Sequence, residues 1–183
     1  IWDIVKPLRE LGIPAVGVVD IDVLNEGGDV FSKLLDGVSF PKITKDSLRI
    51  ERKAIKRIFD DTALAKLNEE NCELLGKDDG TSQYKLKKLI SRKIKDNGTS
   101  LLSKSDLEAY KNFREKLNNY GAFVVDVGEL ECWLSELDIV SKKTQWLIDI
   151  FEAMGDDPDS LSYTNPKNGD VWNMIGKIND WVC

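Results

Sequence analysis

The run Pro14-Ala-Val-Gly-Val-Val19 does most to limit what this chain can fold into. It is apolar without alternation, lies between Gly12-Ile13 and Asp20, and has the length of one strand. A strand with no polar face has to be covered on both sides, as in a parallel sheet with helices packed against it. The residues before it agree. Ile1 to Leu11 carries Ile1, Val5 and Leu8 on one helical stripe and stops at Gly12. Helix, glycine and strand read as the second half of a βαβ unit. A second strand is predicted over Ala122-Phe-Val-Val-Asp-Val127, introduced by Tyr120-Gly121.

The sequence between the two strands changes character. Val30 to Leu35 suits a short helix, and from about Asp46 to Asn118 the chain is charged and helical. The spacing predicts helices over Ser47–Leu75, Ser82–Lys95 and Lys104–Asn118, interrupted at Gly76–Gly80 and Asp96–Thr99. Tyr84, Leu86, Leu89, Ile90 and Ile94 show the amphipathic pattern. After the second strand, helical segments are expected at Leu130–Asp138, Lys142–Met154 and Gly169–Val182. The expected fold is therefore α/β: a parallel sheet flanked by helices, with a helical insertion and a helical C-terminus. Residues 1–45 and 120–183 would form the core and 46–119 the insertion. The five tryptophans read as core or interface residues.

Composition removes several kinds of chemistry. The chain has no histidine, and its three cysteines, Cys72, Cys132 and Cys183, are scattered without a CxxC pair. That leaves a zinc site without its usual ligands and a serine or cysteine nucleophile without a histidine base. Catalysis would have to rest on carboxylates, lysines and an oxygen-liganded metal. No apolar run approaches the roughly eighteen residues of a membrane helix, and no signal-peptide pattern occurs, so a cytoplasmic setting away from membranes is expected. The net charge of -6 is uneven, because the stretch Arg49–Glu115 is basic and the remainder strongly acidic. Such a division suggests a cation-attracting body beside a surface able to meet phosphates, or simply two solvated surfaces.

Asp20 and Asp22 follow the first strand directly, where open α/β sheets place their ligand sites. On an extended backbone, positions i and i+2 point to the same side. Two carboxylates held together repel each other, and a hard cation such as Mg2+ relieves that repulsion. The plainer alternative is a strand end that reaches water. An EF-hand loop is ruled out, because its fifth and sixth positions would be Leu24 and Asn25. A haloacid-dehalogenase-like phosphatase motif, DxDx[TV], would require a hydroxyl or valine where Leu24 stands, although the helical insertion would suit its cap.

Taken together, the two strand segments point further. Gly12-Ile-Pro-Ala-Val-Gly-Val-Val-Asp-Ile-Asp-Val-Leu24 resembles the DxD strand of the Toprim fold. Ala122-Phe-Val-Val-Asp-Val-Gly-Glu-Leu-Glu-Cys-Trp-Leu134 resembles the segment that carries a further acidic ligand in the OLD (overcoming lysogenization defect) family. The resemblance covers these segments and the helix after them, not the insertion. It implies a Toprim-like nuclease domain that follows an ABC-type ATPase domain in the same or an associated chain. Asp20 and Asp22 would hold Mg2+ or Mn2+, and Glu131 would match the glutamate of the family's Leu-Glu element. Glu129 stands where that element often has serine and would be a further ligand. The family's downstream lysine, which would stabilise the phosphate, is matched by Lys143 or its neighbour Lys142, with Lys177 as a more distant candidate.

The resemblance also implies a glutamate at the end of a strand before Ile1. The chain opens inside an amphipathic helix, and it is read as a piece of a longer protein. The function implied is a metal-dependent DNA endonuclease of anti-phage defence, with DNA and the ATPase domain as partners and a homo-oligomeric assembly. Two alternatives stay open: a non-catalytic Toprim-like assembly module, and the phosphatase with a helical cap.

Overall fold

A computed structural model describes residues 1–25, 27–70, 72–75, 79–134, 137–141, 144–164 and 171–183. Helix α1 (Trp2–Glu10) leads into strand β1 (Gly17–Val19), followed by the short helices α2 (Asp22–Asn25) and α3 (Asp29–Gly37). Three long helices come next: α4 (Lys42–Glu69), α5 (Gly80–Asn97) and α6 (Lys104–Asn118). Strand β2 (Ala122–Val124), a 3-10 turn (Leu130–Cys132), α7 (Thr144–Met154) and α8 (Val171–Val182) complete the described chain. The protein is mostly helical, with a small two-stranded parallel sheet flanked by helices. Among the described residues, no helix is long and apolar enough to cross a membrane.

The two strands pair in parallel, with Gly17 opposite Ala122, Val18 opposite Phe123 and Val19 opposite Val124. Parallel strands require a crossover, and here it consists of α2 to α6. These helices share the core of the sheet. Ile21, Leu24, Phe31, Leu34 and Leu35 from the first segment are buried in one cluster with Ile55, Phe59, Ala63, Ile94, Tyr110, Phe113 and Leu117. Ala122 and Val124 of β2 lie in the same cluster. Phe59 meets Tyr110 edge-on at 5.7 Å between ring centroids, and Phe31 stacks on Phe113 at 6.2 Å.

Local chemistry accounts for the helix ends. Asp79 caps α5 by accepting from the Ser82 amide, and Ser103 caps α6 by accepting from the Asp106 amide. Arg9 ties α1 to the sheet: its guanidinium donates to the carbonyls of Ala15, Val38 and Gly121 at 2.7, 3.1 and 3.4 Å. Trp2 lies so close to Gly17 and Gly37 that a Cβ on either would strike its side chain. Arg52, a buried cation of α4, donates to the Leu24 carbonyl at 2.7 Å and stands over the Phe31 ring. It thereby satisfies a carbonyl at the end of α2.

Three local expectations change. Leu130–Asp138 is not an α-helix; its described part is the 3-10 turn Leu130–Cys132 and a further 3-10 residue, Leu137, whose amide donates to the Leu134 carbonyl at 3.0 Å, and residues 135 and 136 lie outside the described residues. Asp22 belongs to α2, not to an extended strand. The Asp20 carbonyl accepts from the Val23 amide at 3.2 Å, so the chain turns immediately after the strand. Both strands are shorter than their apolar runs: β1 keeps Gly17–Val19 of Pro14–Val19, and β2 keeps Ala122–Val124 of Ala122–Val127. Truncating the ring that joins the crossover helices tests this core. Phe59→Ala should lower unfolding free energy by about 3–5 kcal/mol, read as a shifted midpoint in chemical denaturation.

Candidate functional site

The acidic residues of the two strand segments meet at the carboxyl ends of β1 and β2. Pairing continues past the strands: the Val125 amide donates to Val19 at 2.9 Å, and the Ile21 amide reaches the Gly128 carbonyl at 3.4 Å. Asp20 and Asp22 are thus set beside the turn that carries Glu129 and Glu131. Their electrostatics report the same grouping. The Asp20 carboxyl is pushed above the usual carboxylate range by partial desolvation, then by repulsion from Asp22, Glu131 and Glu129, with Lys95 opposing. Asp20 is exposed as a residue. Solvent therefore weakens the desolvation contribution, and the crowding of like charge is the firmer cause.

The basic residue in this cluster is Lys95, near the end of α5. Its ammonium pairs with Asp22 Oδ2 and lies 3.7 Å from Glu129 Oε1. Arg92, one turn earlier, approaches Glu129 Oε2 at 3.9 Å and pairs with Asp96. Asp22 Oδ1 is buried with no hydrogen-bond partner.

Backbone contacts fix Lys95 in place. The Glu129 amide donates to the Lys95 carbonyl at 3.1 Å, and the Thr99 amide donates to the Asp126 carbonyl at 2.8 Å. Gly128 has φ +111, and a Cβ there would lie 1.9 Å from the Lys95 carbonyl oxygen. Gly98 has φ +51, and its Cβ would lie 2.2 Å from the Asp126 carbonyl oxygen. Both positions require glycine for conformation and for space.

Of the sequence-predicted site residues, Asp20, Asp22, Glu129 and Glu131 are brought together. Lys177 is not among the groups acting on Asp20; it sits on α8 and pairs with Glu115 at 2.6 Å. Lys142 and Lys143 lie outside the described residues. Lys95 is the residue that sequence reading overlooked. Its one local signal was its position just before Asn97-Gly98, where a helix ends. Asp126, at the end of β2, is also acidic but is taken up by α6: the Tyr110 hydroxyl donates to it at 2.8 Å and Arg114 pairs with it.

The donors suit a hard cation in kind, since all are carboxylate oxygens and one has no partner. Their arrangement is not a ready cage: among the described residues, no three acidic or cysteine side chains converge as a metal cluster. Lys95 provides the positive charge instead.

Two outcomes check this geometry. The raised Asp20 carboxyl binds its proton more tightly folded than unfolded, so its contribution is most favourable at low pH and declines as pH rises through the unfolded and then the folded value. Asp20→Asn should therefore raise the melting temperature at pH 7, with the gain fading toward pH 3, as followed by circular dichroism. Gly128→Ala should destabilise the fold by at least about 2 kcal/mol, measured by denaturant titration. Searches of protein-family models, of curated proteins and of solved structures return no match to this chain.

Proposed function

We propose that this chain carries the metal-binding part of a Toprim-like nuclease of the OLD family, which hydrolyses DNA phosphodiester bonds. The observation that supports it is the side-by-side pairing of β1 and β2. It sets Asp20 and Asp22 against Glu129 and Glu131, four carboxylates from segments far apart in sequence. Mutual repulsion of this kind is costly, and groupings of like charge are found most often at functional sites. Asp20, Asp22 and Glu131 would hold Mg2+ or Mn2+, with Glu129 beside them. A bound ion would supply Lewis acidity and a water of lowered pKa. The carboxylates would fix its position at the open end of the sheet, and the basic residues of α4 and α5 would meet the DNA backbone without reading sequence. Lys143 is the proposed phosphate-stabilising lysine. DNA and an ABC-type ATPase domain are the proposed partners, in a cytoplasmic homo-oligomer engaged in anti-phage defence.

A second reading has its own observation in the last helix. α8 has no buried residue, and Trp172, Ile175 and Val182 are exposed on it. α7 likewise exposes Leu147, Ile148 and Phe151. Such apolar exposure suits a non-catalytic assembly module, in which Lys95 serves as a permanent ion-pair partner that offsets part of the charge of the acidic cluster.

Calorimetric titration of Mn2+ into the full-length protein separates the two. The nuclease reading expects binding that Asp20→Ala with Asp22→Ala abolishes, together with plasmid nicking lost in the same variant. Nicking that survives both substitutions would overturn it, and an absence of binding would favour the assembly module.

A further inference from the structure

We propose that the cleft between α6, β2 and α8 is a binding pocket for one unpaired nucleobase. The proposal goes beyond the metal reading and needs no cation. The cleft has a volume of about 420 Å3 and borders Val124, Asp126 and Val127 at the carboxyl end of β2. That size is usual for small-molecule sites, and that end of a strand is where α/β sheets hold their ligands. Its walls are tied together. Lys177 on α8 pairs with Glu115 of α6 at 2.6 Å, the Trp181 indole donates to the Asn119 carbonyl at 3.2 Å, and Arg9 stands over the Trp181 ring. On the other side, Trp133 is packed against the cluster of Leu134, Trp146, Ile150 and Met154.

The lining selects the ligand. Trp133 and Trp172 both border the cleft, and Trp172 is 47% exposed, so its ring is open to stacking. Asn118 and Arg114 stand in the wall with polar atoms unsatisfied. Asn118 is only 7% exposed and its Oδ1 has no hydrogen-bond partner, nor has the buried Nε of Arg114. Buried polar atoms are normally paired, so two such atoms in one wall offer contacts to a ligand's polar edge. Gly176 lies in the interior of α8, where a helix disfavours glycine, and a Cβ there would meet no heavy atom within 4 Å. The charges of the lining balance, with Arg114 and Lys177 against Asp126 and Asp180. Both cations already hold carboxylate partners, so a phosphate gains little here. A nucleobase meets all of these conditions. It has a flat face to stack on indole, no net charge, and donors and acceptors along one edge. An asparagine amide offers both a donor and an acceptor, and adenine is the base whose edge it matches best.

The test is calorimetric titration, with a chelator present, of adenosine and of a short single-stranded oligodeoxyadenylate. Each is titrated into the full-length protein and into its Trp172→Ala and Gly176→Leu variants. The wild type should bind. Trp172→Ala should weaken binding about tenfold, the scale of one lost base–aromatic stack, and Gly176→Leu should abolish it by filling the cleft. Binding of the oligonucleotide alone assigns the base to a strand, and binding of adenosine assigns it to a free nucleoside; both support the pocket. Trp172 is exposed and leucine is the better helix former at 176, so both variants should keep the wild-type fold, checked by circular dichroism. Should Gly176→Leu fail to fold, Trp172→Ala decides alone. Binding that neither variant changes places the base elsewhere and overturns the proposal, as does the absence of binding. A concentration-dependent dimer dispersed by Trp172→Ala, with no base bound, assigns the cleft to a second copy and rejects it too. The Mn2+ titration succeeds or fails independently, because the chelator keeps cations out of this one.

Discussion

Everything at the candidate site depends on three residue pairs. β1 and β2 are each three residues long, and on their own so small a parallel sheet would not hold. What holds it is the helical crossover packed around it. Ile21, Ala122 and Val124 share a buried cluster with aromatic residues of α4 and α6, so the hydrogen bonds of the sheet form inside a core that the helices complete. The sheet fixes register and the helices supply burial. Because the pairing continues through Val125 and Ile21, a backbone register chosen at Gly17 and Ala122 determines which carboxylates face each other several residues later.

The helical segment between the strands is more than a surface appendage. Its last turn in α5 meets the turn after β2 through two glycines, Gly98 and Gly128, each in a backbone conformation and a space that exclude a side chain. That contact brings a cation from the basic part of the sequence into the acidic part. The uneven charge distribution therefore has a local expression: Lys95 and Arg92 on one side, and Asp22, Glu129 and Glu131 on the other. Arg52 plays a comparable part deeper in the protein, where it satisfies the end of α2 and so supports the helical turn that carries Asp22.

Much of the fold was legible in the sequence, for definite reasons. α6 begins and ends where its serine cap and apolar stripe place it, at Lys104 and Asn118. α3, α5 and α7 fall near their predicted positions, because hydrophobic period and capping residues are local properties, whereas α4 runs Lys42–Glu69 and so begins and ends several residues before the predicted Ser47–Leu75. The strands were found by their apolar runs, and their pairing brought the DxD and Gly-Glu-Leu-Glu segments together. Where the prediction failed, short-range context decided. Leu130–Asp138 has helical spacing, yet Leu134 takes φ +55 and Asp138 φ +51, and the described part of the segment is 3-10 turn in place of α-helix.

The sequence by itself determined which charged groups and which elements this chain carries. It holds no histidine and no CxxC pair, its titrating charge is mostly carboxylate and lysine, and its apolar runs and helical stripes set the elements. Only the tertiary structure decided which charges meet. Asp22 turned out to start a helix, Lys177 to belong to Glu115, Asp126 to belong to α6, and Lys95 to stand among the acids. The physical reason is that charge is a property of a residue, whereas its energy depends on distances set by backbone contacts remote in sequence. A glycine at 128 and another at 98 show no charge pattern, but their close approach determines where the cation of the cluster lies.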